Sequence, residues 1–390
     1  MPCLWDVPVA LVVLLSICNA GGQELGGRYR PEKATYLVGE PVFIVLELTN
    51  ISSRRVDADD GTCFHSFDVV VPAEPRRAVS LYGCNAGGTA GSCGSGTVSL
   101  KPKETITRRY LLPKSLPDEP GDYEVNASTT VSIYAVGSSE RVSRQDVNSS
   151  LTLHIIPGSR EALVNVYQPI LNDLASSDAS QKFLAMEAVT DYPQPFLEDV
   201  ILKMSENPQT TQNAISGLMK LNTGQTKKRL AELVASDNEG IRQNAVTALA
   251  ETDDPNYCGL MLQVMNARRG YSSTIAARGA GLLCGDKALP QLIRGLQGTD
   301  ALPAYEIAYA LGNTASRDAV PILIDLLRQP NAGTRDAAEE ALATLTHRAD
   351  EPVGTDQAYS KWSRYWSLYG NSAQLFRPDQ CGGEFQSLPD

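Results

Sequence analysis

One short helix is written repeatedly in the second half of this chain. The stretch IRQNAVTALAETDDP, Ile241 to Pro255, reads as a helix running into a turn, with Ala245, Ala248 and Leu249 on one face. Variants recur as FLAMEAV, QNAISGL, ARGAGLL, YEIAYAL and RDAAEEAL, placing Ala185, Ala214, Gly279, Ile307 and Ala338 at the position of Ala245. The first five of the six copies each precede a second helical segment: PFLEDVILKM, TKKRLAELVA, YCGLMLQVM, ALPQLIRGL and AVPILIDLL. A helix pair repeating at about 31 residues cannot bury both of its faces alone, so the period predicts pairs stacked into an α-solenoid over residues 160–348. Small inner residues let successive helices approach, and Leu, Ile and Val of the second helices fill the seams.

RQNAVTALAETDDP and DAVPILIDLLRQPNAGTRDAAEEALATL resemble HEAT repeats of the short bacterial type. The resemblance implies an interaction scaffold that binds along the concave face formed by the second helices. Residues expected to be exposed there are Glu198, Lys203, Lys227, Lys228, Glu232, Gln263, Gln291, Arg294, Asp325 and Arg328. Of these, Lys203, Lys227, Lys228, Gln263, Arg294 and Arg328 are the binding candidates. HEAT-like repeats also occur in lyases that attach bilin pigments, which leaves an enzyme subunit as an alternative. After the last repeat, AYSKWSRYWSLYG sets Tyr359, Trp362, Trp366 and Tyr369 on one helical face. This resembles the tryptophan-rich tail that follows such solenoids and predicts a cap over 349–376, with a tail from 377 to 390.

Before Pro157-Gly158 the period is two. In PVFIVLELTN, Val42, Ile44, Leu46 and Leu48 point one way while Glu47 and Thr49 point the other. FHSFDVVV, AVSLY, TVSL, TITRRYLL, DYEVNASTTVSIYA and SSLTLHII add strand-like runs separated by Gly, Pro, Asp and Asn. Seven or eight short strands predict an antiparallel sandwich over residues 28–157. LPDEPGDYEVNA, with Tyr123, Val125 and Ala127 alternating, resembles the late strand of immunoglobulin-like domains, including the Tyr that braces its corner. The expected fold is thus an N-terminal immunoglobulin-like β-sandwich followed by an α-solenoid of about six HEAT-like helix pairs with an aromatic C-terminal cap.

The first twenty residues, MPCLWDVPVALVVLLSICNA, have the order of a secretory signal peptide, although the n-region lacks Lys or Arg and contains Asp6. Cleavage after Ala20 predicts an exported protein, periplasmic or extracellular, without a transmembrane segment in the mature chain. LSIC resembles a lipobox with Ile17 at a position that favours small residues, which makes a lipid anchor at Cys18 the lesser alternative. Acidic side chains outnumber basic ones in both halves, 16 to 14 over residues 23–157 and 28 to 20 over 158–390. A net charge of −11 without a basic stripe argues against nucleic acid and leaves another protein, or an envelope component, as the partner.

Little in the sequence suggests catalysis. AGSCG, Ala90 to Gly94, falls one residue short of a nucleophile elbow, and Ser92 lacks the strand-to-helix context that motif requires. Cys63 and His65 share a strand face but lack a group to orient the imidazole. His154 alternates with apolar Leu153 and Ile155 and is expected to face solvent, while His347 is expected near the carbonyls ending the last repeat helix. No CxxC occurs and the three histidines lie far apart, so neither a metal nor a cofactor is expected. The segment YGCNAGGTAGSCGSG, residues 82–96, reads as a loop that a Cys84–Cys93 disulfide could close. Through that loop, a protease inhibitor or regulator is a further alternative function. Cys63 could pair with either cysteine instead. Cys258 and Cys284 fall on helices that pack together in any solenoid, as a disulfide or as two small core residues, and Cys381 is left to tether the tail. Sequons at Asn50, Asn126 and Asn148 occur at the frequency expected by chance in a Ser/Thr-rich sandwich.

Overall fold

The computed structural model describes residues 24–59, 66–70, 97–112, 119–267, 270–297, 301–349, 357–376 and 386–388. Cys18, Cys63, His65, the 82–96 loop with Cys84, Ser92 and Cys93, and Cys381 lie outside the described residues. The chain forms two compact units.

The first unit is two sheets sharing one apolar core. One sheet has the order β1-β3-β7, from Leu25–Pro31, Phe43–Asn50 and Thr105–Leu111. The other has the order β2-β9-β8-β4-β6, from Thr35–Leu37, Arg141–Ile156, Gly121–Tyr134, Val56–Asp59 and Thr97–Leu100, with β5, Ser66–Val70, also paired to β8. Val42, Ile44, Leu46 and Leu48 line the core, facing Tyr123, Val125, Ala127, Val131 and Ile133 of β8 and Val147, Leu151, Leu153 and Ile155 of β9. On the outer face Glu47 receives Arg28 and Arg30, each at 2.7 Å, which hold its carboxyl below the usual range. Gly27 brings β1 against β9; a Cβ there would lie 2.5 Å from Val147 Cγ2. The Tyr123 hydroxyl donates to the Glu119 carbonyl at 3.0 Å, bracing the turn before β8.

Three details differ from the alternation pattern. β1 begins at Leu25, before Arg28, because Leu25 is itself a core residue. β9 starts at Arg141 rather than near Ser149, because RVSRQDVN continues the hairpin with β8 beyond the apolar run. β2 pairs parallel to β9, so the sheets are not wholly antiparallel.

The second unit is a helical-repeat solenoid. α1, Arg160–Asp173, leads into the first helices α2 (Ala179–Asp191), α4 (Thr211–Leu221), α6 (Glu239–Ala250), α8 (Gly270–Cys284), α10 (Ala304–Asn313) and α12 (Ala332–Thr346). Between them lie the second helices α3 (Glu198–Glu206), α5 (Gly224–Leu233), α7 (Cys258–Ala267), α9 (Leu289–Gly295) and α11 (Ala319–Leu326). Each first helix lies against the next, and Ala185, Ala214, Ala245, Ile307 and Ala338 are all buried. Second helices such as α3, α5, α7 and α11 also pack on the first helix of the following pair, so the seams between repeats carry much of the burial.

An Asx cap recurs seven residues before the inner position. Asp178 accepts from Ser180 and Gln181 at 2.8 and 3.0 Å, Asn238 from Ile241 at 3.2 Å, and Asn331 from Thr334 at 3.0 Å. At the C-terminal end α13, Ala358–Tyr369, lies against α11, in the place a sixth second helix would take. Its buried face is Ala358, Trp362 and Tyr365, not the stripe ending in Tyr369; Leu368 and Tyr369 are exposed. The segment after α13 turns back: Phe376 donates its N–H to Leu345 and stacks on His347 with ring centroids 3.8 Å apart. Burial lowers the His347 pKa. Beyond it, Gln386–Ser387 pair parallel with Arg348–Ala349, so part of the expected tail is ordered into a two-residue bridge.

Candidate interaction surface

Two kinds of surface follow from the packing, and they differ in how their polar groups are used. Along the first helices, several charged and hydroxyl groups are engaged by neighbouring repeats. Arg278 and Glu306, each one residue before its helix's inner position, form a buried ion pair at 2.5 Å. Tyr271 donates to the same carboxylate at 3.2 Å, and the Arg278 guanidinium lies 4.2 Å from the centre of the Tyr309 ring. Tyr309 and Glu340, two residues past the inner position, meet at 2.9 Å, and burial with the adjacent carboxylates pushes the phenol up to about 12. Lys220 and Asp191, six residues past it, meet at 2.8 Å. Arg242 joins the series by holding Glu239 and the Ser272 hydroxyl, the latter at 3.1 Å. The Arg278–Glu306, Tyr309–Glu340, Lys220–Asp191 and Arg242–Ser272 contacts are cross-repeat rungs.

The second helices behave differently. Lys203, Lys228, Gln263 and Arg294 are exposed and have no ion-pair or hydrogen-bond partner for their side chains among the described residues. Two of the six binding candidates are already engaged. Lys227 pairs with Asp254 at 2.8 Å, which holds that carboxyl below its usual range, and Arg328 stacks its guanidinium 5.1 Å over Tyr359 of the cap. Arg317 does the same over Trp366 at 5.5 Å and donates to the Ala373 carbonyl at 2.7 Å. The sequence could not reveal these engagements, since each joins segments 27 or more residues apart. Among the neighbouring groups, Glu198 accepts from the Thr223 hydroxyl and Gln291 accepts from Asn266 at 2.8 Å.

Cys258 opens α7 and Cys284 closes α8, with Cα atoms 5.1 Å apart, inside the span of a disulfide. They lie across the seam where a second helix meets the first helix of the next pair. His154 is exposed, and its Nδ1 lies 2.7 Å from Asp122 across the β8–β9 pairing. Asn50 is fully buried, its amide donating to the carbonyls of Arg54 and Leu100 at 2.7 and 2.9 Å, so its sequon is occupied by folding; Asn126 and Asn148 are exposed. Among the described residues no group of three His, Cys, Asp or Glu side chains is placed to hold a metal ion, and no helix is long and apolar enough to cross a membrane.

These features define a helical-repeat protein in which four of the six candidate side chains on the second helices, Lys203, Lys228, Gln263 and Arg294, are open. Comparison with known proteins agrees at the level of the repeat: a family model described as HEAT repeats matches residues 260–343, from within α7 into α12. No curated protein matches the chain. Among solved structures, an engineered protein from the Northeast Structural Genomics Consortium is similar at 16% identity and a TM-score of 0.34, covering 55% of this chain and 70% of that one. A designed armadillo repeat protein is similar at 15% identity and a TM-score of 0.30, covering 45% of this chain and 97% of its own. A Salmonella alpha-2-macroglobulin reacted with methylamine overlaps 82% of this chain and 26% of its own at 13% identity, with a TM-score of 0.18.

Proposed function

We propose that this chain is an exported, non-catalytic scaffold that binds another protein, or an envelope component, through the second-helix face of its solenoid. That face is the concave one in solenoids of this kind, and the N-terminal unit serves as an immunoglobulin-like sandwich. The observation that carries the reading is the contrast between the two helix rows. Several first-helix charges are spent on rungs between repeats, whereas Lys203, Lys228, Gln263 and Arg294 of the second helices remain open. In an exported protein, oxidation of Cys258 and Cys284 would pin one seam of the groove and keep its spacing fixed.

The test is a pull-down from the envelope fraction of the source organism, using protein from residue 21 onward and a Lys228→Glu/Arg294→Glu variant. Both side chains are exposed and unpartnered, so the variant keeps the fold. A partner captured by the natural sequence and lost with the variant supports the scaffold reading. A partner retained by the variant places binding elsewhere, and the second-helix reading fails.

A further inference from the structure

At the N-terminal end of the solenoid, α1, α2 and α3 leave a groove of about 690 Å³. Its walls are Leu171, Leu174, Met186, Val200 and Met204, and all but Met204 remain partly exposed. The gap follows from how α1 docks. Tyr167 is fully buried, donates its hydroxyl to the Tyr192 carbonyl and meets Phe196 edge-on at 5.6 Å, which ties the first half of α1 down. Past Tyr167, Pro169 interrupts the backbone hydrogen bonding of α1, and Leu171 in its last turn and Leu174 just after it line the groove, partly exposed among the described residues.

The groove's charge is distinctive. Lys182 and Lys203 line it, and neither has an ion-pair partner among the described residues. Glu206 is the acid in the lining, so the site is net cationic in a chain whose overall charge is −11. Asn207 adds an amide: its oxygen caps Gln209 at 3.0 Å, and its nitrogen keeps its donor capacity. An apolar trough of this size with two open ammonium groups and an amide donor has the make-up of a small-ligand site, with hydrophobic walls and a few placed polar groups.

From this we infer that the groove binds a single-chain anionic amphipath, an alkyl carboxylate whose chain lies along Leu171, Leu174, Met186 and Val200 and whose head group meets Lys182 and Lys203. The occupant is fixed by charge complementarity. A cationic amphipath would set its head against two ammonium groups, and a neutral apolar ligand would leave both unused. The inference shares Lys203 with the scaffold reading but is tested apart from it, because the scaffold test alters only Lys228 and Arg294 farther along the solenoid.

Isothermal titration calorimetry of the full chain with sodium dodecanoate, below its micellar concentration, tests it directly. Dodecanoate should bind saturably at one site, with affinity falling about two- to fourfold for each methylene removed from the chain. Dodecyltrimethylammonium, of equal chain length, should not bind. The Lys182→Glu/Lys203→Glu variant should weaken dodecanoate at least about tenfold and admit the ammonium amphipath. Leu174→Ser, a change at a partly exposed position, should weaken binding while keeping the preference for the anionic head. Absence of saturable dodecanoate binding, equal binding of the two amphipaths, or undiminished dodecanoate affinity in the charge-reversed variant would each overturn the proposal. Loss of the envelope partner in the Lys228/Arg294 experiment would leave it standing.

Discussion

Burying the Arg278 guanidinium against Glu306 removes two charges from water, and that desolvation cost is offset only while both partners are present. Glu306→Ala should therefore lower the unfolding free energy by about 3–5 kcal/mol in urea titration, while Arg278→Met/Glu306→Leu should come out near neutral. If the double change is as costly as the single one, the pair contributes more than compensation. A second residue sets a pH dependence. Burial raises the Glu251 carboxyl to about 7, above its value in the unfolded chain. The folded state therefore binds the extra proton between the two pKa values, and the stability this residue contributes is present below the unfolded value and lost as pH rises toward 7. Glu251→Gln should raise the midpoint temperature at pH 8 by about 1–3 °C, leave it nearly unchanged at pH 4, and flatten the slope between. An unchanged slope across that window would show that Glu251 is not the group responsible.

At the scale of the helices, the close approach of neighbouring first helices depends on residues without bulk. A Cβ on Gly281 would sit 2.1 Å from the Ala310 carbonyl oxygen, and one on Gly312 would sit 2.8 Å from the Ala341 Cβ. Gly281→Val should destabilise by about 1–3 kcal/mol or more through overpacking, whereas the same change at Gly259, with open space around its Cβ position, should cost far less. Both read out as shifts in denaturant midpoint. Across the α7–α8 seam, an oxidised Cys258–Cys284 pair closes a segment with a sequence separation of 26, worth about 3.5 kcal/mol in the chain-entropy description. Cys258→Ser should remove that increment under oxidising conditions and change little under reducing ones; equal stability in both would mean that the thiols stay free.

These helices show what the sequence could and could not convey. The inner positions were legible because burial imposes a 3.6-residue period on hydrophobicity. The recurring Asp178, Asn238 and Asn331 caps were equally available at a fixed offset, and attention to the apolar face alone missed them. The buried face of α13 was only half legible. Four aromatics, at 359, 362, 366 and 369, fit one stripe on a helical wheel, but contact with α11 selects the strip through Ala358, Trp362 and Tyr365 instead. In the β-rich unit the alternating core residues of β3 and β8 read directly from the chain, while the parallel pairing of β2 is set by where distant strands meet.

For the whole molecule, the proposed binding face was legible as a list of charges but not as a pattern of use. Lys203 and Lys227 look alike in sequence; one is open beside an apolar groove and the other is held by Asp254. Pairing of that kind is a long-range property. The cap is the place where the solenoid itself can be tested as a unit. Trp362 is fully buried, and α13 covers α11 with Arg317 and Arg328 drawn over its aromatic rings. Ending the chain before Gln357 should leave the last repeats exposed, giving a broader unfolding transition and concentration-dependent association in sedimentation. A truncated chain that stays monomeric with an equally sharp transition would show that α12 can end the stack alone.

The rungs are also unevenly distributed. From α6 onward they are largely buried, at Arg242, Arg278 and Glu306, whereas the Lys220–Asp191 contact near the start joins partly exposed groups. A stack held by nearest-neighbour terms opens where those terms are weakest. On that account amide exchange should begin at α1 to α3 and travel toward the cap, and an occupant of the groove at that end would also set how readily the whole stack begins to peel.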